Sequence, residues 1–128
     1  MLDRPTRLLL LTILASILFA PPTVAFAHAI VESSVPAANA SVSAGEVNIV
    51  LTFNSRIDKK RSRIVVLASD AHETSVAIAP DDVENVLQGT AVLNVAGSYQ
   101  IRWQVLSRDG HITRGTIPFT VHAAAPAQ

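Results

Sequence analysis

The alternation at residues 99–105 constrains this chain most. Tyr99, Ile101, Trp103 and Val105 are apolar, and Gln100, Arg102 and Gln104 between them are polar. A period of two sends the two sets to opposite faces of a β-strand, only one of which is buried. Val47, Ile49, Leu51 and Phe53 repeat the pattern, as do Ile117, Phe119 and Val121. Shorter strands are predicted over residues 29–34, 63–68, 75–78 and 90–95, separated by turn residues such as Pro36, Asp70, Pro80 and Gly97. From residue 28 onward no segment carries a helical period. Seven short strands with turns between them predict an all-β fold of two antiparallel sheets packed face to face. Trp103 is expected at the centre of the core, near Phe53 and Phe119. The basic cluster Lys59-Lys60-Arg61-Ser62-Arg63 is expected in a solvated loop or at a strand edge.

The chain begins with a basic stretch holding Arg4 and Arg7, then an apolar run over residues 8–20. Pro21-Pro22 ends the run, and Ala25-Phe26-Ala27 supplies small residues two apart. These are the three parts of a secretory signal peptide, expected over residues 1–27. The apolar run falls short of the ~20 residues that span a bilayer. Cleavage after Ala27 would make His28 the first residue of a 101-residue chain. That chain carries eight Lys and Arg against nine Asp and Glu, a balance that argues against nucleic acid or an anionic membrane as the main partner. With no cysteine anywhere, disulfides, thiolate metal sites and thiol redox chemistry are excluded, and stability must come from the apolar core. One soluble domain is expected over residues 28–122, followed by a flexible tail over residues 123–128.

The residues suited to chemistry are histidines and carboxylates. Asp109 and His111 are two apart, so an extended backbone would project both side chains from one face, within reach of one ion. An ordinary Asp109-Gly110 turn explains the same residues. An N-terminal His28 would add two nitrogens, its α-amine and its ring Nδ1, which can close a chelate ring on one ion. The amine's usual pKa of about 7.7–8.0 lets a metal displace its proton near neutral pH. Such a mixed N,O set suits tetragonal Cu(II), which also leads the divalent first-row series in affinity. His72 reads as an exposed turn histidine, with a weak accessory site as the alternative. His122, at the end of the last strand, reads as a surface residue.

Three stretches resemble the CopC family of periplasmic copper-binding proteins: His28-Ala-Ile-Val-Glu-Ser-Ser-Val-Pro36-Ala, Leu51-Thr-Phe53-Asn, and Ser107-Arg-Asp109-Gly-His111-Ile-Thr-Arg-Gly115-Thr-Ile-Pro-Phe119-Thr-Val121. The resemblance implies a seven-stranded Greek-key β-sandwich of the Ig-like or cupredoxin-like kind. It also implies a Cu(II) site at His28, Asp109 and His111, the residues selected above on donor chemistry. Two departures stand out. Some family members hold Cu(I) in a methionine-rich loop, whereas residues 68–76 here contain no methionine and Met1 is the only one in the chain. Thioethers are the ligands Cu(I) prefers, so Cu(II) alone is expected. Some members also carry a Glu after the L-x-F strand, where this chain has Ser55 or a neighbour, so no fourth side-chain ligand is carried over.

The expected function is that of a monomeric periplasmic carrier that holds one Cu(II) and passes it to a membrane partner. The resemblance implies a CopD-like copper transporter as that partner. A copper oxygenase with an N-terminal histidine chelate is one alternative, but few aromatics remain to hold a sugar, and no catalytic residue is assigned. A metal-free Ig-like interaction module is the other.

Overall fold

The computed structural model describes residues 3–5 and 28–126. The predicted signal segment lies outside them except for residues 3–5, as do residues 127–128 of the expected tail. Eight strands follow in order: β1 (Val31–Val35), β2 (Ser41–Ser43), β3 (Gly45–Phe53), β4 (Ile57–Ala68), β5 (Glu73–Val76), β6 (Val86–Leu93), β7 (Gly97–Ser107) and β8 (Ile112–His122). They form a three-stranded sheet, β1-β3-β6, and a five-stranded sheet, β2-β8-β7-β4-β5.

The all-β sandwich holds, with one strand more than predicted. The addition is β2, three residues that lie parallel to the end of β8. It exists because that edge of β8 offers unpaired backbone groups, not because Ser-Val-Ser has a strand pattern of its own. Several boundaries also move. Both β6 and β8 begin four residues before the expected point, through Val86-Leu87-Gln88-Gly89 and Ile112-Thr113-Arg114-Gly115. The glycine in each extension hid the alternation. The basic cluster lies on β4, where pairing with β7 is irregular between Asp58 and Arg63. Because β5 pairs only with residues 64–67, this end of β4 is an open sheet edge.

The alternations face the core as predicted. Ile49, Leu51, Phe53, Ile101 and Val105 are fully buried, and Val47, Tyr99, Ile117, Phe119 and Val121 nearly so. Burying a side chain of Phe53's size contributes about 1.5–3 kcal/mol. Trp103 meets Phe53 edge to face with ring centroids 5.3 Å apart, while Phe119 stacks on Tyr99 at 5.7 Å. The aromatic core is therefore two pairs and not one cluster around Trp103. Gly115 sits directly across from Trp103, and a Cβ there would run into the indole ring. Among the described residues no helix is long and apolar enough to cross a membrane.

Candidate metal centre

The first part of the site is the chain entering β1. Ala29 is fully buried in the core. Beside it, the Ile30 amide donates to Asn54 Oδ1 at 2.8 Å, and the Asn54 amide donates to the Ile30 carbonyl at 3.0 Å. A buried alanine and a two-bond clasp thus fix the backbone immediately after the position from which His28 projects.

The second part is the turn between β7 and β8. The Ser107 amide donates to the His111 carbonyl and the Gly110 amide to the Ser107 carbonyl, both at 2.9 Å. Gly110 has a φ of +89°, a backbone state that L side chains rarely adopt. Asp109 folds back into this turn. Its Oδ1 accepts from the Ser107 hydroxyl at 2.5 Å and from the His111 amide at 3.2 Å. Its Oδ2 lies 3.1 Å from His111 Nδ1. The Asp109-Gly110 turn and the Asp109–His111 pairing are therefore one feature. A turn brings the two side chains together, where an extended strand was expected to do so.

The two parts meet. The His28 and His111 rings stand edge to face with centroids 5.3 Å apart. His28, Asp109 and His111 thus share one corner of the sandwich despite their separation in sequence. The Asp109 carboxyl is held down at about 2, first by the Ser107 hydroxyl, then by the His111 amide, with the His111 ring adding to this and partial burial opposing it. It is an anionic oxygen donor at any physiological pH. A carboxylate oxygen has two lone pairs, so Oδ2 can orient the His111 ring and still face an ion. Among the described residues no three His, Cys, Asp or Glu side chains are grouped so that they could hold a metal ion as they stand. The donor set still fits a borderline divalent ion, being nitrogen and oxygen with no sulfur.

Two supporting residues escaped the sequence reading. Ser107 is buried, and its hydroxyl makes the shortest bond to Asp109. Ser-x-Asp before a glycine is a readable local signal of such a bond. Asn54, just after the L-x-F strand, carries no signal, because its partner is 24 residues away. The loop after β3 also locks the turn from the side: the Arg108 amide donates to the Arg56 carbonyl at 3.4 Å, and both arginines pair with Glu84. Ser55, on the same loop, has a buried hydroxyl with no hydrogen-bond partner. His72 and His122 lie elsewhere. His72 is exposed at the β4–β5 turn, and His122 is exposed at the end of β8 with Nδ1 3.0 Å from the Ala123 carbonyl.

Comparison with known proteins bears on the family and the fold. The family model described as the CopC domain matches residues 31–122, beginning three residues after His28. The Bacillus subtilis copper transport protein CutJ is 27% identical over 115 residues. That alignment takes in 88% of this chain but spans only about a fifth of CutJ, 21% of its length. Protein YobA of Escherichia coli K12 is 30% identical over 121 residues, covering 87% of this chain and 90% of that protein. Among solved structures, CopC from Methylosinus trichosporium OB3b aligns with a TM-score of 0.70 at 28% identity, covering 79% of this chain and all of the other. PcoC, a methionine-rich copper resistance protein from Escherichia coli, aligns with a TM-score of 0.57 at 30% identity, covering 75% of this chain and all of the other.

Proposed function

Because this chain belongs to the CopC domain family, whose members handle copper and are not enzymes, we propose that it carries one Cu(II) ion, held by His28, Asp109 and His111. The observation that carries this reading is the meeting of the His28 and His111 rings beside the Asp109 carboxylate. Cleavage after Ala27 frees the His28 amine, and amine and ring nitrogen then close a chelate on the ion. His111 adds a third nitrogen and Asp109 an anionic oxygen, giving the tetragonal N,O shell that Cu(II) favours. The absence of cysteine, and of methionine beyond Met1, supports Cu(II) over Cu(I).

The ion is cargo. The protein works as a monomer in the periplasm, to which the leader over residues 1–27 directs it, and hands copper to a CopD-like membrane partner. Three side chains at an exposed corner suit transfer, since an incoming ligand can reach the ion without opening the core. Native mass spectrometry of the exported protein tests the proposal. The expected species starts at His28 and holds one copper. A chain that keeps its leader, or starts elsewhere and still binds copper with equal affinity, would overturn it.

A further inference from the structure

The two sheets differ sharply in charge. Strands β1, β3 and β6 carry Glu32 and Glu46 and no Lys or Arg. The five-stranded sheet carries Lys59, Lys60, Arg61, Arg63, Arg102 and Arg114 against only Asp58 and Glu73. Three of these arginines line a groove on its outer face, over β4, β7 and β8. Arg63, Gln104 and Arg114 form one row across the three strands, and Val65, Arg102 and Thr116 form the next.

The first row is electrostatically incomplete. Arg63 Nη2 and Arg114 Nε both donate to the same atom, Gln104 Oε1, at 3.2 and 2.8 Å. Neither arginine has a carboxylate in reach among the described residues, whereas Arg56, Lys59, Arg61, Arg102 and Arg108 each do. Two guanidinium groups thus converge on one neutral acceptor and keep most of their N–H donors for an outside anion. Carboxylates match the guanidinium fork in shape and charge. In the second row Arg102 pairs with exposed Glu73 at 2.9 Å, a contact that an outside carboxylate can replace.

We propose that this groove docks an extended acidic segment of a protein partner. The rows are two residues apart along each strand, about 7 Å, which is also the spacing of alternate side chains in an extended chain. One carboxylate of such a segment seats between Arg63 and Arg114, and the next reaches Arg102. A lipid surface fits less well. No large exposed apolar side chain lines the groove to enter a bilayer. The site lies on the face of the sheet, apart from the His28 corner, and stands or falls independently of copper.

The test titrates the full chain, as the cell processes it, with a synthetic peptide of alternating glutamate and serine at low salt, followed by amide NMR. Saturable shifts at Arg63, Arg102, Gln104 and Arg114 are expected, weakening as salt rises. The double variant Arg63→Gln/Arg114→Gln should bind about tenfold more weakly, the loss of two partly exposed ion pairs. Lys60→Gln removes a charge outside the groove and should change affinity less than about twofold. Both variants should keep their copper, which separates this surface from the metal corner. Equal weakening in the two variants would overturn the proposal. So would binding of phosphatidylglycerol vesicles without binding of the peptide, or displacement of the peptide by equimolar inorganic phosphate.

Discussion

The turns at residues 107–111 and 68–72 are built alike and stand at opposite ends of the β4–β7 pair, where Ile57 faces Ser107 and Ala68 faces Tyr99. In each, the first amide donates to the fifth carbonyl at 2.9 Å, and the fourth amide returns a bond to the first carbonyl at 2.9 or 3.0 Å. In each, an aspartate Oδ1 accepts from a histidine amide, at 3.2 Å for Asp109 and His111 and at 3.0 Å for Asp70 and His72. The fourth residue has positive φ in both, +89° at Gly110 and +69° at Ala71. Three things differ. Ser107 supplies a hydroxyl to Asp109 where Ala68 has none. The His111 ring nitrogen lies 3.1 Å from Asp109 Oδ2, and among the described residues no such pair joins His72 and Asp70. The chain entering β1 brings the His28 ring only to the first turn. An Asp-x-His turn is therefore a scaffold that the backbone makes readily. It becomes the proposed metal corner only where the His28 ring arrives from elsewhere in the fold.

Breaking that difference should cost most at His28. In the processed protein His28→Ala should lower Cu(II) affinity by more than about 100-fold, beyond the usual cost of losing a supporting group, as measured by competition with a chelator. Ser107→Ala makes the proximal turn chemically like the distal one, and about a tenfold loss is expected from the loosened Asp109. His72→Ala should change copper affinity by less than about twofold, as for a surface substitution. Ala68→Ser gives the distal turn its missing hydroxyl, and copper stoichiometry should stay unchanged because no third donor reaches it.

Acid provides a further distinction. Asp109 titrates at about 2 in the folded chain and at about 3.9 when unfolded. Between those values the unfolded chain binds the extra proton. The stabilisation from the ionised carboxylate is therefore full above about pH 4 and is lost as pH falls toward 2. Asp81 is also lowered, chiefly by its bond to Lys59 and then by the Val83 amide, and contributes with the same sign. Asp109→Asn should flatten the acid limb of a stability curve and leave the part contributed by Asp81.

Strands with strict alternation were legible in the sequence because a half-buried surface imposes that pattern on every residue. This holds for β3, for β7 and for the second half of β8. β2 was not legible, since three residues paired to a neighbour's edge need no pattern. The early starts of β6 and β8 were masked by Gly89 and Gly115. Within the proposed site, Asp109 and His111 could be singled out because they are local to each other, and His28 because the preceding residues have the pattern of a signal cleavage site. Asn54 and the Arg56–Glu84–Arg108 contacts could not be found, because they depend on how distant loops meet at one end of the sandwich.

Electron paramagnetic resonance of the copper-loaded, exported protein tests the metal corner most directly. One tetragonal Cu(II) coupled to three nitrogens is expected, from the His28 amine, the His28 ring and the His111 ring, with the pattern lost in His28→Ala. A nitrogen count and spectrum unchanged by that substitution would contradict the N-terminal chelate.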